Sequence, residues 1–185
     1  MATQNVAHQA RTVTADTSKS NGLTNYLLLA LLLAAGFILN FTVGNALAVT
    51  GIKPQFIIAA YALAVILTGA GFGQAAVFGL ISAAVIQLTT SIPGLNFGTE
   101  LAGALVMAAL CKLDLKVAGR DVTPLVAAFL TTLVSGALFA GVGTVIMGAA
   151  LATAVVKVPI VLGTAVFNAV VVQALYFPLR KVLKK

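Results

Sequence analysis

LTNYLLLALLLAAGFILNF, residues 23–41, decides what kind of protein this is. The run is almost uninterrupted Leu, Ala, Ile and Phe, and at 1.5 Å per residue it is long enough to cross a hydrocarbon layer about 30 Å thick. The rest of the chain has the same character. Of 185 residues, 61% are hydrophobic and 8% charged, and the mean hydropathy is +1.10, whereas a soluble domain carries roughly a quarter charged residues. Four acids and 11 bases are too few to solvate a globular surface. A soluble enzyme and a nucleic-acid binder are therefore excluded, and at ~20 apolar residues per span the length leaves room for about six helices.

Outward from that run, Thr, Asn and Gly break the apolar pattern over residues 42–51, and Pro54 stands where a helix can begin without its N–H. A second helix is expected over 54–68. Gly69, Gly71 and Gly73 make a tight connection into a third at 73–89, which ends on Thr89-Thr90-Ser91 and the turn Pro93-Gly94. A fourth is expected over 97–112, with Asn96 or Thr99 capping its start. A charged linker over 112–121 precedes a fifth at 124–141, and a small-residue stretch leads to a sixth at 155–183. Residues 1–22 are rich in Thr, Ser, Asn and Gln and read as a disordered polar tail before a six-helix transmembrane domain at 23–185. The expected fold class is all-α, a polytopic membrane protein with six transmembrane helices.

An even number of spans puts both termini on one side, and the basic residues choose the side. Nine of the 11 bases fall in the tails, the second-to-third turn and the fourth-to-fifth linker; only Lys53 and Lys157 fall opposite. Both termini are expected to be cytoplasmic. The net charge of +7 is thereby explained by insertion bias and anionic headgroups, without a nucleic-acid partner.

Lys53, Glu100 and Lys157 are the charges that topology leaves over, each near the outer end of a span. An ionisable group inside a span usually faces a polar cavity or a partner. One reading has the lysines snorkelling to headgroups with Glu100 paired to one of them; the other has all three in a substrate pocket open to the outside. Asn45, Gln55, Tyr61, Gln87, Thr90, Asn96 and Asn168, with Asn40 and Thr89, supply directional hydrogen bonds for such a pocket. Singly, each also suits a helix cap or a backbone partner. The 42–53 connection is long enough to act as a lid.

Much chemistry has no raw material. His8 is the sole histidine and Cys111 the sole cysteine, so neither a metal site nor a Cys/His dyad is expected, and no cofactor. Gly71-Phe72-Gly73-Gln74-Ala75-Ala76 fits G-x-G-x-x-A but joins two spans without a strand-helix unit. There is no P-loop, so any ATP dependence must reside in other subunits. Small residues four apart, such as Ala30 and Ala34, mark surfaces where helices or a partner subunit approach closely.

This combination resembles the substrate-binding S component of energy-coupling factor (ECF) transporters over residues 23–183. The resemblance rests on Ala30-xxx-Ala34, the long connection that follows, Gly51-Ile52-Lys53-Pro54 and Thr89-Thr90-Ser91-Ile92-Pro93-Gly94, the last two being similar to tryptophan-type members. It implies a multi-pass protein of the bacterial plasma membrane that is not itself an enzyme. It further implies a small vitamin or amino-acid substrate held near the extracellular face, Ala30 and Ala34 docking on a transmembrane scaffold subunit, and two ATPase subunits supplying energy. A zwitterion such as tryptophan wants one cation and one anion, whereas pantothenate offers a carboxylate, hydroxyls and an amide. Two lysines against one carboxylate tilt the expectation to pantothenate, with tryptophan as the alternative. A stand-alone secondary transporter, the rival from another class, needs charge near the middle of the spans, where the expected boundaries place none.

Overall fold

The computed structural model describes residues 17–49 and 54–183, with side chains of the first helix described from Gly22 onward. Most of the expected tail, Lys53, Lys184 and Lys185 lie outside the described residues. Six apolar helical segments are present, of which Gly22–Ala48, Thr123–Ile146 and Ala152–Leu183 are long and apolar enough to cross a membrane; Phe56–Thr68, Phe72–Ile86 and Leu95–Leu110 are shorter.

Helix α1 (Thr17–Leu39) does not stop where Thr, Asn and Gly begin. It continues through a π-helical turn (Asn40–Gly44) into α2 (Asn45–Ala48), so most of the expected 42–51 loop is helix. The reason is local: the Thr42 hydroxyl donates to the Ile38 carbonyl at 2.8 Å and the Asn45 amide to Phe41 O at 2.9 Å, so polar side chains support the loosened ladder instead of breaking it. Pro54 precedes the next helix rather than opening it, and Gln55 is the N-cap of α3 (Phe56–Thr68).

α3 is the axis of the molecule. Every residue from Phe56 to Val65 is buried, and α1, α4 (Phe72–Ile86), α5 (Leu95–Leu110), α6 (Thr123–Ile146) and α8 (Val158–Leu183) all pack on it. Two glycines allow the closest approaches to another helix's backbone. A Cβ at Gly36 would lie 2.9 Å from Phe56 O, and one at Gly79 would lie 2.7 Å from Glu100 O and 2.8 Å from Ala104 Cβ. Only a missing side chain lets α1 meet α3, and α4 meet α5, at that distance. The outer faces of α1, α6 and α8 expose Leu23, Leu31, Ile38, Val145, Val166 and Val170, a lipid-like surround for a protein of this composition.

The connections sort to two ends. At one end, β1 (Lys116–Val117) and β2 (Arg120–Asp121) form a small antiparallel hairpin that the charged linker did not announce, turning through Ala118 and Gly119 at positive φ. The other end gathers α2, the 87–94 turn and α7 (Ala152–Val156), with Lys157 between α7 and α8. Gly94 is the N-cap of α5 and no side chain caps it; the capping role expected of Asn96 or Thr99 is absent, because both are buried inside the helix.

Candidate functional site

A cavity of about 620 Å³ opens at the end formed by α2, the 87–94 turn and α7. Each wall supplies polar groups. Asn40, Asn45 and Gln55 come from the α1–α3 connection, Thr89, Thr90 and Ser91 from the turn after α4, Asn96 and Glu100 from α5, and Lys157 from the start of α8. Phe41, Ile58, Ile86, Phe139 and Val161 fill the spaces between them. A small-molecule site has this constitution: apolar walls with a few placed polar groups.

Glu100 is the floor. It is the sole acid within the apolar helices, and only 2% of it is exposed. Ser135 donates its hydroxyl to Glu100 Oε1 at 2.9 Å. The second oxygen, Oε2, has no hydrogen bond of good geometry among the described residues, although the polar groups of Tyr61, Thr99 and Asn96 stand around the carboxyl. Its depth differs from the expectation of an outer position. Glu100 is level with Ser135, midway along α6, and with Gly79, midway along α4.

Lys157 stands higher, its ammonium donating to the Thr144 hydroxyl at 3.3 Å. Lysine and glutamate share the cavity without meeting, since the one ion pair among the described residues is Lys116 with Asp114 at 2.7 Å. Pairing of Glu100 with Lys157 is thereby set aside.

The remaining expected residues divide by role. Asn45, Gln55, Thr90 and Asn96 line the cavity. Asn168 and Tyr61 are fully buried behind it. The Asn168 amide donates to Gln55 O at 3.1 Å and to the Thr132 hydroxyl at 3.2 Å, tying α8 to α3 and α6, while the Tyr61 hydroxyl points at the face of α5 that Gly103 leaves open. Gln87 is not in the lining; its Oε1 accepts the Gly94 N–H at 2.9 Å and so shapes the turn. Asn40 accepts the Phe56 N–H at 3.0 Å, holding the mouth of α3 to the π turn. Ala30 and Ala34 are exposed on α1, opposite the face buried through Leu29, Leu33 and Gly36.

Compared with family models, with curated proteins and with solved structures, the chain matches none. What the cavity does must therefore be read from its own atoms. Thr132, Ser135 and Thr164 line it too and were not anticipated. A signal existed: hydroxyls at 131, 132 and 135 recur at helical spacing on an otherwise apolar span, which places them on one inward face. No lining residue is a histidine or cysteine, and among the described residues no group of three metal-ligating side chains occurs.

Proposed function

We propose that this chain is a six-span membrane protein with both termini in the cytoplasm, which captures a small water-soluble solute from outside. In this reading it serves as the S component of an energy-coupling factor importer in a bacterial plasma membrane. The observation that carries the proposal is the contrast in charge between the ends. The cavity end has Lys157 as its single described base, whereas the hairpin end carries Lys112, Lys116, Arg120, Arg180 and Lys181. Positive residues stay inside, so the cavity faces out. A scaffold subunit and two ATPases complete the importer, with the exposed Ala30–Ala34 face of α1 as the place where the scaffold approaches closely. The solute is a vitamin, precursor or amino acid; pantothenate and tryptophan are the two first candidates.

Uptake in proteoliposomes tests this. The expected outcome is solute binding by the chain alone and ATP-dependent uptake only when scaffold and ATPases are present. A second reading draws on one observation, the depth of Glu100. A carboxyl at the middle of a helical bundle suits a proton- or ion-coupled carrier acting without partners. Gradient-driven uptake by the purified chain alone would establish that reading and end the first.

A further inference from the structure

We infer that the solute is zwitterionic, presenting a cationic nitrogen to Glu100 on the cavity floor and an anionic group to Lys157 nearer the mouth. This rests on the reading of the cavity as a solute site and adds the chemical class. Three observations carry it. Glu100 is almost wholly buried, and among the described residues its neighbours are neutral: Ser135 bonds one oxygen, and Tyr61, Thr99 and Asn96 stand around the carboxyl with no cation beside it. The neighbouring Asn96 Oδ1 is also buried and unpartnered among the described residues, and it lies one helical turn earlier on the same face of α5. Finally, the two opposite charges that line this cavity among the described residues do not pair with each other.

A buried carboxylate without a cation is costly; it is relieved by taking up a proton or by a cation, which the protein or a ligand can supply. Lys157 spends its ammonium on a hydroxyl, a neutral partner that a carboxylate outcompetes through a charge-assisted bond. A solute with opposite charges at its two ends satisfies both residues at once. A simple anion satisfies Lys157 and leaves the floor unpaired. The carboxyl on the floor, with no cation beside it among the described residues, thus reverses the preference for pantothenate that lysine counting alone suggested, and favours amino-acid-like solutes.

The test uses the full chain purified in detergent and incubated with an equimolar pool of the common amino acids and water-soluble vitamins. After desalting, retained molecules are identified by mass spectrometry. Wild type is expected to retain a zwitterion. Glu100→Gln keeps the Ser135 bond but turns one acceptor into a donor, so retention should fall roughly tenfold or more; Lys157→Met should also weaken it. If Glu100→Gln fails to fold, the deaminated analogue of the retained solute is titrated against wild type, with at least a tenfold loss expected. An anion lacking a cationic nitrogen, retained equally by both proteins, or an analogue of equal affinity, overturns the inference and leaves the solute-capture reading standing. Retention of nothing by wild type overturns both.

Discussion

The two ends of this bundle differ in how completely their polar groups satisfy one another. At the hairpin end they satisfy one another. Thr123 Oγ1 accepts the Leu115 N–H at 3.0 Å and donates to Leu113 O at 3.2 Å; Gln173 accepts from Leu125 N–H and donates to Asp121 O, both at 2.9 Å. Asp114, by its hydrogen bond and its charge, raises the Lys116 amine above its ordinary value. At the cavity end, Glu100 and Asn96 each keep a buried oxygen without a partner among the described residues. Closed networks rigidify, while open ones await something. The same residue types therefore close their bonds at one end and leave buried oxygens open at the other, the contrast on which the proposed solute site rests.

Substitutions can break or sharpen that contrast. Gly79→Ala should have the largest effect, because the new methyl meets the Glu100 backbone; about 2 kcal/mol of stability should be lost, seen as a lower thermal midpoint in detergent together with weaker solute retention. Ser135→Ala comes next. It removes the one hydrogen bond of good geometry to the Glu100 carboxyl, worth about 1 kcal/mol, so retention should drop about fivefold with a small fall in midpoint. Gln173→Ala removes two hydrogen bonds, about 1 kcal/mol each, so the midpoint should fall further while solute retention stays at the wild-type level. Lys116→Ala should move neither measurement, since its ion pair is solvated. Were Gln173→Ala to abolish retention, or Ser135→Ala to leave it untouched, the division of labour between the ends would be lost.

How much of this was legible in the sequence depends on the kind of residue. The apolar segments were plain because 61% hydrophobic composition has few other outlets, and the sorting of bases to one end follows from counting. Glu100 stood out as a lone acid in an apolar helix. Its depth did not, because depth depends on how α5 is staggered against α6, which is set by contacts such as Gly103 with Ser135 and Thr131. Thr131, Thr132 and Ser135 share one helix face by their spacing; only the fold says that this face meets Glu100. The helical course of residues 42–48 was hidden for another reason: Thr42 and Asn45 read as breakers until their side chains are seen bonding back to carbonyls one turn earlier.

The enclosure of α3 bears on how the molecule is made. With 13 residues it measures about 20 Å, some 10 Å less than a bilayer's apolar thickness. Released alone into lipid, it would stretch or thin its surroundings. Its sister helices wall it in from Phe56 to Val65, which would shield that length from acyl chains. For the proposed membrane protein, the short central helix would then settle among its long outer neighbours rather than enter the bilayer alone.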